Sequence, residues 1–275
     1  DRRHEQRGFQ RLSRVAGSND DYLRLLQNAW AAELALSFPT LLNANEALQH
    51  TNPWAVIQAY YAVYLAAASC LHCERGKRPE SHQSVLRTLS TWTDDRRILP
   101  FLWSCGLNGA MEDAQHNGFG DREIDEAISN LSTPNRRNAH SILFKALKTT
   151  RRRRCEAAIQ RYKGEKKRQR ISPADRRQVE SSVRTTSVFD LLWRIRIRSN
   201  YGDADAFRAS DATEFEAQRV YESYRTITSS GLLVFESILV KRAGRSAVDR
   251  VLKTQISKAR ILERTVGERM QFWPR

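Results

Sequence analysis

The sequence predicts an all-α fold, and three features of the 275-residue chain support this. Apolar residues recur along most of the chain at the three- and four-residue spacing of helices. No stretch shows sustained alternation of apolar and polar residues bounded by hairpin turn pairs. No internal repeat of solenoid length is evident, so we expect a helical domain rather than a repeat array.

Helix start and stop residues divide the first hundred positions into three helices. Asn19-Asp20-Asp21 predict the cap of the first, whose apolar residues run from Tyr22 to Leu34. Asn52-Pro53 predict the start of the second, because proline suits a first turn, and this helix runs to about Cys73. Gly76 to Pro79 predict the end of the second helix. Ser81 predicts the cap of a third helix at 82–91, and the Gly and Pro residues of 99–121 predict a loop.

Helical spacing continues through the rest of the chain. The predicted helices there are 121–131, which Pro134 ends, 138–160, one that starts at Ser172-Pro173, 188–200, 211–239 and 247–264. The predicted organisation is a basic tail at 1–18, a helical domain at 19–245 with a basic helical or loop insertion at about 145–178, and a C-terminal helix and tail at 246–275.

The charge of the chain is strongly basic and unevenly distributed. It has 46 Lys and Arg against 31 Asp and Glu, a formal charge of +15. The segment 151–177 holds twelve basic and three acidic residues, and nine of the basic ones are arginine, whose planar fork suits phosphate. The expected partner is therefore RNA or DNA, and the alternative is a solvated loop whose charges face water. The candidate nucleic-acid-binding residues are Arg151, Arg152, Arg153, Arg154, Lys163, Lys166, Lys167, Arg168 and Arg170.

Composition argues against several classes of protein. Four cysteines are too few for a secreted disulfide framework, which favours a reducing compartment. No apolar run approaches the roughly 20 residues that span a bilayer. Cys70, His72 and Cys73 lack a matching second ligand pair, so core cysteines are favoured over zinc, and no metal or cofactor is expected. The signatures of P-loop NTPases, α/β-hydrolases and zinc proteases do not occur. A cytoplasmic protein without a membrane partner is expected.

Two distant segments resemble the HEPN superfamily. Residues 52–67, with Tyr60-Tyr61-Ala62 in a helix followed by Gly76, Pro79 and Ser81-His82, resemble the first long helix and turn of HEPN domains. Residues 191–207, an arginine-rich helix that turns through Asn200-Tyr201, resemble a later helix end. The resemblance implies a dimeric helical bundle, and many members are metal-independent ribonucleases of toxin-antitoxin, phage-defence and CRISPR-associated systems. The basic segment is then an insertion in such a domain.

The resemblance also implies a site at the end of the second segment. The catalytic pattern of the family is an arginine followed after four to six residues by a histidine, and Tyr201 stands where that histidine would fall. Arg194 and Arg198 are four residues apart and share a helix face, while Arg196 points elsewhere. Arginines here also suit a helix C-terminus without any ligand, and Asn200 and Gly202 also suit a helix stop. The candidate catalytic residues are Arg194, Arg198, Asn200, Tyr201 and Asp203.

Two other histidines are candidates for parts of a site. Arg136 to His140 is a rival arginine-histidine element, but its spacing is too short for the HEPN pattern. His82 at a helix start is interpreted as a surface or capping residue. The expected function is nucleic-acid binding in a bacterial defence or toxin-antitoxin setting, with two alternatives. One is a metal-independent endoribonuclease, and the other is a non-catalytic subunit that docks RNA, DNA or a partner protein of the same defence locus, each as a homodimer.

Overall fold

A computed structural model describes residues 21–98, 102–118, 136–167, 169–201, 213–253 and 260–274. It is 77% helical with 4% strand, which confirms the predicted all-α class. The chain divides into two compact units. Segments Asp1–Ser81 and Ser199–Arg275 form the first unit, and His82–Arg198 forms the second, so the second unit is inserted in the sequence of the first.

The first unit is built from long helices. They are α1 (Asp21–Leu41), a single 3-10 turn (Asn45–Ala47), α2 (Leu48–Arg75), α7 (Glu214–Ala243), α8 (Arg245–Val251) and α9 (Arg260–Met270). The predicted helix 247–264 is thus two described helices, and 254–259 between them lie outside the described residues.

Helix α2 begins earlier than the sequence predicted. It starts at Leu48, so Pro53 lies inside the helix and not in its first turn. Leu48 is fully buried in an apolar cluster with Leu36 of α1 and Tyr221 of α7, and this burial supports the extra turn. The predicted end is confirmed, because Gly76 takes a left-handed conformation at φ 69° and its N–H donates to the carbonyl of His72 at 2.8 Å.

Helices α2 and α7 lie side by side and run in the same direction. Near their starts, Asn52 Nδ2 donates to the carbonyl of Ala217 at 3.0 Å. Farther along, Cys70 Sγ lies 3.1 Å from the carbonyl of Phe235, and near the helix ends Arg242 pairs with Glu74 at 2.9 Å. The register is therefore held by polar contacts along a mostly apolar seam.

A buried ionic network joins α1, α7 and α9. Arg269 donates to both carboxylate oxygens of Glu33 at 2.6 and 2.9 Å and to both of Glu236 at 3.0 and 2.8 Å. Glu236 also accepts from the indole N–H groups of Trp30 and Trp273. Two carboxylates thus share one guanidinium, and burial raises the pKa of Glu33 despite the attraction of Arg269.

The second unit combines helices with a small sheet. Its elements are α3 (His82–Asp94), β1 (Gly106–Asn108), β2 (Gln115–Asn117), α4 (Arg136–Glu165), α5 (Pro173–Ser182), β3 (Thr186–Ser187) and α6 (Val188–Tyr201), the last three residues of which belong to the first unit. The predicted cap of α5 is confirmed, because Ser172 Oγ accepts from the N–H of Asp175 at 3.1 Å.

The sheet occupies part of the region predicted to be a loop. Strand order is β2-β1-β3 with antiparallel neighbours, and Gly106 lies opposite Asn117 on one side and Ser187 on the other. A Cβ at Gly106 would lie 2.8 Å from the methyl group of Thr185 and 3.1 Å from that of Thr93, so a larger residue here would displace these side chains. Strands of two or three residues are too short to show alternation. The predicted helix 121–131 lies outside the described residues.

Helix α2 also bears on the expectation about membranes. Its segment His50–Arg75 is long and apolar enough to cross a bilayer by length and composition, with a mean hydropathy of 1.4 over its most apolar window. This corrects the expectation that no apolar run approaches that length. In this protein 67% of that window is buried, as in a core helix.

Candidate nucleic-acid interface

The arginine run 151–154 on α4 does not form one continuous charged face. Arg151 is fully buried. Its guanidinium donates to the backbone carbonyls of Leu107, Gly109, Glu180, Val183 and Arg184. Arg151 therefore joins α4 to β1 and to the end of α5, and its burial corrects its assignment as a nucleic-acid contact.

Arg154 is also used inside the second unit. It pairs with the buried carboxylate of Asp190 at 3.2 Å and donates to Thr186 Oγ1 at 2.9 Å. Arg184 binds the same carboxylate with both terminal nitrogens, at 3.0 and 2.7 Å. Burial, together with repulsion from Arg184 and Arg151, lowers the pKa of Arg154 to about 10. With 24% of its side chain exposed, Arg154 contributes to the local field more than to direct contacts.

Much of the remaining basic segment faces solvent. Two of its arginines are engaged by carboxylates, Arg176 with Glu180 at 3.0 Å and Arg177 with Asp113. Lys163 is half-buried, and Arg168 lies outside the described residues. The exposed candidates are Arg152, Arg153, Lys166, Lys167 and Arg170.

Helices α4 and α6 bring arginines from the two predicted sites together. Arg194 of α6 donates through Nη1 to Thr150 Oγ1 of α4 at 3.1 Å. Burial lowers the pKa of Arg194, and the charges of Arg153 and Arg198 lower it further. Arg153 from the basic run thus lies within electrostatic reach of the motif arginine Arg194. We call Arg153, Arg194 and Arg198 the arginine clamp.

One guanidinium of the clamp is held in place before any ligand arrives. Thr150 is buried and donates its own hydroxyl hydrogen to the carbonyl of Ala146 at 2.8 Å, so its oxygen is oriented to accept from Arg194. The Nε of Arg194 is buried and has no hydrogen-bond partner. The positive charges of Arg153 and Arg198 that act on this guanidinium favour the binding of an anion, such as a phosphate.

Of the other predicted catalytic residues, Asn200 is the one whose side chain the structure describes. Asn200 is exposed near the end of α6. Tyr201 is the last residue of α6, but its side chain and all of Asp203 lie outside the described residues. The Cζ of Arg196, on the same helix, lies 4.8 Å from the ring centre of Trp193.

Sequence reasoning missed Thr150 and the aromatic partner of His82. Thr150 had no signal, because a threonine within a helix is ordinary until the neighbouring helix is known. His82 was interpreted as a surface or capping residue. The structure makes it half-buried, with its ring centre 4.7 Å from that of Trp193.

One hydrogen bond within the first unit joins the end of α6 to α2. Ser199 Oγ, at the end of α6, donates to the carbonyl of Pro53 at 2.6 Å. All four cysteines are free, and no group of three His, Cys, Asp or Glu side chains in the described part of the chain is arranged to hold a metal.

Comparison with known proteins adds no assignment to this geometry. No family model, no curated protein and no solved structure matches the chain.

Proposed function

We propose that this chain is a HEPN-like nucleic-acid-binding protein of a bacterial phage-defence or toxin-antitoxin system. The observation that carries the proposal is the arginine clamp, in which Arg194 is hydrogen-bonded to Thr150 of α4 and lies within electrostatic reach of Arg153 and Arg198. The exposed charges of α4 and of the residues after it extend this basic surface. RNA is the proposed ligand, with DNA as the alternative.

The clamp sets an expected salt dependence. Each phosphate that a cation neutralises on a single strand contributes about −0.7 to the slope of log K against log salt. Loss of all three clamp charges should therefore reduce the slope by about 2. Charges that only face water would leave the slope nearly unchanged.

The test compares two triple variants. Arg153, Arg194 and Arg198 are changed to Gln in one, and the exposed Arg87, Arg96 and Arg97 of the same unit are changed to Gln in the other. Both variants lose three positive charges, so a difference between their salt slopes depends on where the arginines lie and not on the net charge. Binding of a labelled single-stranded RNA between 50 and 300 mM salt is measured by anisotropy. Equal slopes for the two variants would contradict the proposal, and a parallel DNA series identifies the preferred ligand.

Metal-independent RNA cleavage is the second candidate function. It is favoured by the clustering of arginines on the helix that resembles the family's catalytic segment, because cations stabilise the charge that develops on a scissile phosphate. Cleavage should persist in excess EDTA and be absent on all-DNA substrates, which lack the 2′-hydroxyl. Binding without cleavage, alone or with proteins from the same locus, would leave the scaffold alternative.

A homodimer is proposed for this protein as well, from the aromatic residues of α2 and the dimeric habit of the family it resembles. Tyr60 is buried, while Tyr61 and Tyr64 on the same helix are half-buried and pack around it. Light scattering at micromolar concentration tests the dimer, and a monomer at low and high salt would contradict it.

A further inference from the structure

The solvent side of α4 carries a row of residues that starts at the arginine clamp. Arg151 and Ile159 are buried and mark the side of α4 that packs inside the second unit. Arg153, Ala157 and Arg161 lie on another side of the helix, and all three are exposed. Because residues four apart are neighbours on a helix surface, these three residues form one continuous row. We call Arg153, Ala157 and Arg161 the α4 row.

The α4 row has a cation at each end and a small residue between them. Arg161 follows Arg153 by eight residues, which is about 12 Å along the helix axis at 1.5 Å per residue. Within the described part of the chain, neither guanidinium donates a hydrogen bond or pairs with a carboxylate. Ala157 leaves room above the helix for a chain of sugars and phosphates. Glu165, the last residue of α4, comes next at the same spacing, so the cations of the row end at Arg161.

We propose that Arg161 binds a backbone phosphate of a single-stranded RNA that leaves the arginine clamp along the α4 row. The inference rests on the proposed function, since the clamp must bind the RNA first. It adds a binding residue that lies outside the set predicted from the sequence, and it specifies the form of the ligand.

A straight row of cations on a helix suits a single strand better than a duplex. The phosphates of A-form RNA wind around a rigid axis, and its deep major groove is too narrow to admit a helix about 10–12 Å wide. A single strand is flexible, so its backbone can track a basic surface. At the stacked spacing of about 3.4 Å per nucleotide, the roughly 12 Å between Arg153 and Arg161 correspond to about four nucleotides. An RNA shorter than this cannot reach from the clamp to Arg161.

The experiment compares Arg161→Gln with Arg152→Gln. Arg152 is also exposed on α4, but it is nine residues from Arg161, or two and a half turns, so it projects from the opposite side of the helix. Both variants lose one positive charge and keep a good helix former, and their unfolding temperatures check the fold. The ligands are a labelled RNA of 12 nucleotides, a duplex of 12 base pairs, and an RNA of 3 nucleotides that is measured by displacement of the labelled strand.

The expected effect is specific to the longer single strand. Arg161→Gln should lower its affinity about 5-fold at 0.1 M salt and reduce the salt slope by about 0.7, the contribution of one phosphate. The same variant should bind the 3-nucleotide RNA as the unaltered protein does. Arg152→Gln should have a smaller effect that is the same for both lengths, because it changes only the general positive field.

Equal effects of the two variants on the 12-nucleotide RNA would overturn the proposal. An effect of Arg161→Gln that is as large on the 3-nucleotide RNA or on the duplex would also overturn it. In these cases the proposed function would stand, because the triple variant of the clamp tests it separately. A clamp variant whose salt slope equals that of its own control would contradict the proposed function instead.

Discussion

Arg151 provides the strongest test of how the arginine run is used, because its neighbour Arg152 serves as a matched control. The two residues are adjacent on α4 and carry the same charge. Arg151 is fully buried, whereas Arg152 is exposed. Changing each to Met removes the same charge and leaves an unbranched side chain of similar helix propensity.

The magnitude follows from the hydrogen bonds of Arg151. Its guanidinium makes six of them to five backbone carbonyls, and three of these carbonyls lie at the end of α5 or just after it. A buried polar group left unsatisfied costs about 1–3 kcal/mol. Relief of the burial cost of the charge offsets part of this, so we expect Arg151→Met to destabilise the protein by about 2–5 kcal/mol. Arg152→Met should stay within about 0.5 kcal/mol of the unaltered protein.

The assay is urea unfolding followed by far-ultraviolet circular dichroism and by tryptophan fluorescence. Two probes are needed because the two units can unfold in separate transitions, and Trp92 and Trp103 are buried in the second. A difference below about 1 kcal/mol between the two variants would refute the structural role of Arg151. RNA affinity should show the opposite order. Arg152→Met removes an exposed charge and should lower the affinity, whereas Arg151→Met should affect binding only by destabilising the fold.

Three further predictions concern the first unit. Arg269→Met leaves the carboxylates of Glu33 and Glu236 buried without their cation, so the free energy of unfolding at neutral pH should fall by about 3–5 kcal/mol; a change below about 1 kcal/mol in urea unfolding would contradict this. Because the pKa of the Glu33 carboxyl is raised in the folded protein, the folded protein binds the carboxyl proton more tightly than the unfolded chain does. The stability that this group contributes therefore increases as pH falls from neutral toward 4.5, its ordinary pKa. Glu33→Gln should lack this gain between pH 7 and 5, and parallel pH profiles of the two proteins would speak against it. Thr213→Ala removes the capping box with Glu216 at the start of α7, and a loss of about 1 kcal/mol is expected by thermal unfolding, with no measurable loss as the contrary result.

Local signals in the sequence were sufficient for most helices. The start of α5 could be predicted from Ser172-Pro173, because capping by a hydroxyl and proline in the first turn are properties of adjacent residues. The extra turn of α2 could not, since it depends on burial of Leu48 against residues far away in the sequence. The sheet was missed for a similar reason, as Thr186-Ser187 becomes a strand only by pairing with β1.

The candidate site shows the same division between local and distant information. The spacing of Arg194 and Arg198 gave their shared helix face, because helical geometry is local. Their proximity to Arg153 depends on the approach of α4 to α6 at the hydrogen bond between Thr150 and Arg194, which no single helix encodes. Charge alone could not separate Arg151 from Arg152, because the difference between them is the set of carbonyls that surrounds the first.

The insertion of the second unit within the first has a consequence for synthesis on the ribosome. Helix α2 is made early, but its partner α7 is translated only after the whole of His82–Arg198. At about 5–20 residues per second, Phe235 and Arg242, which pack against α2, are synthesised about 8–30 seconds after the end of α2. During that interval the second unit, whose chain is continuous, is already complete, whereas the first is not. The nascent chain therefore exposes the face of α2 that later packs against α7, and we expect chaperones to bind this face during synthesis.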